Sequence, residues 1–196
     1  MTPCRVYRLI SDNAGERLPM AIEEAAEFPV SITIRKMEMD DVETVADLDT
    51  KCFPTPWTAA AYYTEVNNPS AYYVVAKSVG EIVGYAGMWM IMDEAHITTI
   101  GVDPRFRGRK IGERVLVHML DEAIHRGGRR ATLEVRRTNS VAQKLYAKYH
   151  FHTVAIRKGY YANNNEDALV MWIDDMWNAD FLRMFRIRKE ELDESA

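Results

Sequence analysis

The stretch Ile100-Gly101-Val102-Asp103-Pro104-Arg105-Phe106-Arg107-Gly108-Arg109-Lys110-Ile111-Gly112-Glu113 joins a predicted strand to a predicted helix. Pro104 stops the strand ladder because it has no N–H to donate. Basic residues and glycines then run straight into Ile111, Val115, Leu116, Met119, Leu120 and Ile124, apolar positions that share one helical face. The unpaired N–H groups at such a helix start suit an anion, and the helix dipole adds to that preference. Gly108 permits close backbone approach, while Arg107, Arg109 and Lys110 answer the charge of a pyrophosphate. A solvated basic helix start is the alternative. Positive charge there is mildly unfavourable, which favours a bound anion. No Gly-Lys-Ser/Thr follows, so this is not a Walker A loop, nor is it a Gly-x-Gly-x-x-Gly dinucleotide turn.

Upstream, residues 1–30 read as an irregular leader punctuated by Pro3, Gly15, Pro19 and Pro29, and Met20 within it leaves the start at Met1 or Met20 open. Ser31–Arg35 alternates as a strand. Asp40, with Glu43 three residues on, reads as a capping signal for a helix that Pro54 ends, and Thr58 caps a second helix from Ala59 to about Val66. Ala71–Lys77 and Ile82–Met92 are strands joined by a turn at Val79-Gly80-Glu81, and His96–Val102 is the next strand. Gly84 and Gly87 predict a bulge or a close backbone approach.

Downstream, Gly127-Gly128 closes the long helix. Ala131–Arg136 is a strand, Asn139 caps a helix to about Tyr149, and Phe151–Arg157 is a strand. Lys158–Asn165 reads as a loop, Asp167–Ile173 as the last strand, and residues 175–196 as a helical tail. The pattern is an α/β domain over residues 31–174 around one mixed sheet, with three consecutive strands arguing for an antiparallel half.

Bulk properties narrow the function. A chain of 196 residues, 47% of them hydrophobic, can build one sizeable core. The formal net charge of −4 excludes a general polycation. Cys4 and Cys52 lie far apart without Cys-x-x-Cys spacing, which points to a reducing cytoplasm and away from a disulfide framework. No apolar run reaches the ~18 residues of a membrane span, and the N-terminus has no signal-type apolar core. Among the five histidines only His150-x-His152 is suggestive, and it lacks further ligands at metal spacing, so no metal is expected. His118 and His125 read as surface residues.

From Arg107 to Gly112 the run resembles the Arg/Gln-x-x-Gly-x-Gly/Ala motif of the GNAT superfamily of N-acetyltransferases, with Lys110 standing where the family carries its first glycine. The resemblance implies a GNAT fold: a mixed, mostly antiparallel central sheet flanked by helices on both faces. It implies acetyl-CoA as cosubstrate, held by Ile100, Gly101 and Val102 along the pantetheine arm. Arg107, Gly108, Arg109, Lys110, Ile111, Gly112 and Glu113 would line the phosphates, and Asn139 would be a further partner. Between Ile32 and Ile173 the pieces Phe53-Pro54-Thr55-Pro56-Trp57, Asp93-Glu94-Ala95, Leu133-Glu134-Val135-Arg136, Asn139, Leu145-Tyr146, Tyr160-Tyr161 and Glu166-Asp167-Ala168 are similar to the RimI-type branch. That branch acetylates the N-terminal alanine of a small-subunit ribosomal protein, so the implied partner is a protein or peptide N-terminus, with neither nucleic acid nor membrane bound directly.

Acetyl transfer to an amine needs a base for the amine, stabilisation of the thioester oxygen and a partner for the departing thiolate. Glu134 points away from the face shared by Ala131, Leu133 and Val135, and a mid-strand carboxylate is costly unless paired or used. Spacing alone leaves a salt bridge to Arg136 or Arg137 equally open; the resemblance implies the base. Tyr146 is either core or, as the resemblance implies, the donor to the sulfur. Phe53, Pro54 and Trp57 can form one acceptor wall and Tyr160-Tyr161 a second, with Glu94 attracting an ammonium and His96 facing the acceptor. Core packing of Phe53 and Trp57 is the alternative. Two other functions compete: the same chemistry on a lysine side chain or small-molecule amine, and a CoA-sensing or nucleic-acid-binding module using Arg126, Arg129, Arg130, Arg136 and Arg137.

Overall fold

A computed structural model describes residues 31–194. The expected leader and the choice between Met1 and Met20 lie outside the described residues. The strands are β1 (Ile32–Lys36), β2 (Ala71–Ser78), β3 (Glu81–Ile91), β4 (Glu94–Val102), β5 (Arg130–Arg136), β6 (His152–Tyr161) and β7 (Glu166–Ile173). The helices are α1 (Val42–Cys52), α2 (Ala59–Val66), α3 (Ile111–His125), α4 (Ser140–Lys148) and α5 (Ala179–Glu194). One sheet runs β1-β2-β3-β4-β5-β7-β6, antiparallel at every step except β4 to β5. This is the expected α/β architecture.

Strand alternation sorts the core into two layers. Tyr72, Val74 and Ala76 of β2 face Val115, Leu116, Met119 and Leu120 of α3, together with Tyr149 and with Phe181 and Phe185 of α5. Tyr73 and Val75 face the opposite way, onto Val45, Leu48 and Tyr62 of the α1–α2 pair. Helices therefore cover both faces. The tail helix is part of the first layer, since Phe181, Phe185 and Leu192 are buried within it.

Several local expectations need correction. The capping pair before α1 is Glu38 and Asp41, not Asp40 and Glu43: the Glu38 N–H donates to the Asp41 carboxylate at 2.8 Å. Arg35 also clamps Asp41 through two bonds of 2.7 Å, which holds that carboxyl below its ordinary value. The stretch Lys158–Tyr161 is not loop, because β6 continues through it against β7 and the turn begins only at Ala162. His118 is not a surface residue. It stacks on Tyr72 within hydrogen-bond reach of the phenol, 3.3 Å, and burial lowers its pKa. Gly84 and Gly87 accompany both of the anticipated features. The ladders shift register beside them, and a Cβ on Gly87 would strike the Tyr73 ring at 2.1 Å.

Candidate active site

The site begins where two strands part. β4 and β5 pair only from Glu94↔Arg130 to Ile97↔Leu133, yet β4 runs on to Val102 and β5 to Arg136. Thr98 is the extra residue of a bulge, because Gly87 lies opposite Thr99 and Met88 opposite Ile97. A bulge bends its strand and strengthens the local twist, so β4 leaves β5 and a wedge opens. Alternate backbone groups of Ile100, Gly101 and Val102 face that wedge rather than β3. Gly101 is required there: a Cβ would lie 2.4 Å from the Tyr85 ring. Tyr85 is fixed in turn by a hydrogen bond to the buried Asp49 carboxylate, which also accepts the Trp57 N–H at 2.6 Å.

At the mouth of the wedge lies the basic turn. Gly108 has φ +80° and Lys110 φ +58°, so Lys110 adopts the left-handed conformation that glycine occupies most easily. This is the physical meaning of the lysine in the glycine position of the motif. Arg107, Gly108, Arg109 and Lys110 are exposed, with the Arg107 Nε 3.3 Å from the Val102 carbonyl and Arg109 over the Phe106 ring. Gly112 is half-buried against Val102. Two expected contacts are different. The Ile111 side chain is buried in the core, leaving only its backbone for a cofactor. Glu113 points at α4, accepting from the Tyr149 hydroxyl at 3.0 Å and facing Lys148 at 3.3 Å.

Glu134 sits one residue beyond the last β4–β5 pair. Its Oε2 lies 2.8 Å from His96 Nε2, and its Oε1 lies 3.0 Å from Arg157. The expected partners Arg136 and Arg137 are engaged elsewhere, with Glu166 at 2.8 Å and Asp167 at 3.3 Å. The hydrogen bond from His96 lowers the Glu134 pKa, with the Arg157 charge adding to it. His96 stands edge-on to Trp89, whose indole N–H donates to Glu65 at 2.6 Å. Arg157, Trp89 and Glu65 were not among the sequence candidates. Alternation within β6 would put Arg157 on the face of Ala155, but only the order β5-β7-β6 shows that this face reaches Glu134.

Tyr146 lies in α4, partly buried and packed on Phe151, with ring centroids 5.8 Å apart. Burial raises its pKa. Asn139 caps α4, its side-chain oxygen accepting from the Ala142 N–H at 3.1 Å. Phe53 and Trp57 are half-buried and pack on the α1–α2 layer, the core-packing alternative, and Pro54 is exposed. Glu94 precedes His96 by two residues on the same side of β4 and is half-buried. Tyr160 and Tyr161 pack edge to face at 5.2 Å. Arg157 approaches the Tyr160 ring and Arg136 lies 3.8 Å above that of Tyr161, tying the pair to the Glu134 face. Burial pushes the Tyr161 phenol up to about 12.

The basic cluster weighed for nucleic acid is largely neutralised: Arg126 pairs with Glu122, Arg129 with Asp175, Arg136 with Glu166 and Arg137 with Asp167. Among the described residues no His, Cys, Asp and Glu cluster has metal-site geometry, and no helix is long and apolar enough to cross a membrane.

Residues 42–151 match the family described as Acetyltransferase (GNAT) family. The chain belongs to that family. The family uses acetyl-CoA, and this site fits it: the wedge offers an extended arm strand backbone that β5 leaves without a ladder partner, and the left-handed turn offers cations and N–H groups to phosphates. The chain is 39% identical over 146 residues to the Mycobacterium tuberculosis N-alpha-acetyltransferase RimI, covering 71% of this chain and 90% of that protein. It is 39% identical over 141 residues to a Bacillus subtilis candidate ribosomal protein bS18-alanine N-acetyltransferase, covering 71% of this chain and 93% of the relative. The solved ribosomal-protein-S18-alanine N-acetyltransferase from Escherichia coli superposes with a TM-score of 0.70 at 26% identity, over 76% of this chain and 97% of that one.

Proposed function

We propose that the chain is an acetyl-CoA-dependent Nα-acetyltransferase whose acceptor is a protein N-terminus, the N-terminal alanine of a small-subunit ribosomal protein, in the cytoplasm. The observation that carries this is the His96–Glu134 pair at the point where β4 and β5 part. There an amine would meet an acetyl group laid along β4. The names of the relatives support the acceptor.

Acetyl-CoA, when bound, supplies the acetyl group as a thioester. Backbone groups of Ile100–Val102 hold its arm in the manner of an added strand, and Arg107, Arg109, Lys110 and the start of α3 hold its phosphates. Asn139 lies at the α4 end of the wedge. An α-amine of pKa roughly 7.7–8.0 needs only a modest base. Moving its proton onto an ordinary glutamate, more than about three pKa units lower, would be uphill by roughly 5 kcal/mol, and Glu134 is lowered further by its partners. Proton removal therefore belongs to Glu134 together with His96. Tyr146, a phenol that burial holds still more firmly in its protonated form, donates a hydrogen bond to the departing sulfur.

Initial rates with acetyl-CoA and peptides beginning Ala, Ser or Met, and with Ala blocked by acetylation, test the assignment. The free Ala peptide is expected to react fastest and the blocked peptide not at all. A reaction confined to internal lysine, or to small amines, would replace this function with the same chemistry on another acceptor.

A further inference from the structure

The parting strands carry an imidazole in contact with a more deeply buried carboxylate. The His96 side chain is 24% exposed and that of Glu134 only 9%, so the ring is the more accessible of the two. Both Glu134 oxygens are already engaged, Oε2 by His96 and Oε1 by Arg157. A ring nitrogen bound to a carboxylate keeps its proton, which leaves Nδ1 of the neutral ring as the acceptor. The ring is held by Glu134 on β5 and by Trp89 on β3, with Trp89 anchored by Glu65 on α2. The charged groups around it are thus Glu134, Arg157 beyond it on β6, Glu65 behind Trp89, and Glu94 on the same side of its own strand.

We propose that Nδ1 of His96 takes the proton from the acceptor ammonium, with Glu134 and Arg157 as positioning residues that fix the ring and its tautomer; this rests on the N-terminal acetyl-transfer assignment above. The ammonium gives one proton to His96. The freed nitrogen lone pair forms the N–C bond to the acetyl carbonyl carbon as the C–S bond breaks. A second N–H proton ends on the sulfur, and the proton on His96 leaves to solvent, so the step balances.

The test combines activity with a readout that needs no substrate. His96→Gln keeps a donor for Glu134 and loses the base. At saturating peptide and acetyl-CoA its kcat is expected to fall about 100-fold or more, with the acidic limb of the pH profile gone. His96→Ala should regain turnover with added imidazole, more so as pH rises. Arg157→Met should retain the limb but shift it. In the unliganded full-length protein, 15N NMR should show His96 protonated on Nε2, and Glu134→Gln should weaken that tautomer preference. A His96→Gln enzyme within threefold of wild type with the limb intact would overturn the proposal, as would an Nδ1–H tautomer or a tautomer preference untouched by Glu134→Gln. Failure of the wild-type protein to acetylate any free N-terminus would instead defeat the acceptor assignment, a result distinct from the NMR outcomes.

Discussion

At the residue scale, the site depends on carboxylates whose partners come from distant strands. Glu166 shows the pattern: it accepts from the Thr138 hydroxyl at 2.6 Å and the Thr138 N–H at 2.9 Å, and faces Arg136 at 2.8 Å. These bonds, the Thr138 hydroxyl first, bring its pKa down to about 2. A depressed carboxylate contributes stability above its unfolded value of about 4.3, and that contribution is lost as pH falls through the folded value. Glu166→Gln should therefore lower the denaturant midpoint at pH 7, and the gap to wild type should shrink between pH 4 and pH 2. A gap unchanged across that range would show that the charge does not matter. Asn139 was legible in the sequence as a helix cap, while Glu134 and Tyr146 stood out only through the resemblance, because spacing alone left a salt bridge and core packing equally open. Arg157 was not, because its role comes from two strand pairings, β5 with β7 and β7 with β6.

At the element scale, the wedge and its turn follow from a bulge and two left-handed residues. Lys110 at φ +58° places a charged residue where glycine would sit most easily, at the turn proposed to hold the phosphates. Left-handed geometry costs an ordinary residue roughly 1–2 kcal/mol, partly offset here because glycine loses more entropy on folding. Lys110→Gly should leave the unliganded protein as stable or up to about 1 kcal/mol more stable, while the KM for acetyl-CoA rises several-fold. Urea titration and initial rates check the two halves, and a lowered KM would contradict the role given to the lysine. Helix α3 was readable from its apolar period and its closing glycines. The end of β6 was not: Gly159 and the asparagines that follow Tyr161 look like turn chemistry, yet pairing of Arg157 with Ala168 and Tyr161 with Glu166 carries the strand through.

At the scale of the whole molecule, one sheet is covered on both faces and opened where β4 and β5 part, and the last described helix helps hold it. Phe185 is 5% exposed, stacks on Phe181 and meets Tyr149 edge-on, beside the Glu113 contact that ties α4 to α3. Phe185→Ala should cost about 3 kcal/mol or more of unfolding free energy, measured by urea denaturation; a loss under about 1 kcal/mol would mean that α5 is dispensable to the core. The amphipathic tail was visible in the sequence, but its depth of burial was not, because charged residues surround each aromatic. The wedge, the basic turn and the His96–Glu134 pair fit acetyl transfer to an amine, and the central proposal is that this amine is an α-amine. A peptide beginning with free alanine and carrying one internal lysine, incubated with acetyl-CoA and sequenced by tandem mass spectrometry, tests that claim most directly. The acetyl group is expected on the alanine nitrogen alone, and acetylation of the lysine with the N-terminus left free would contradict it.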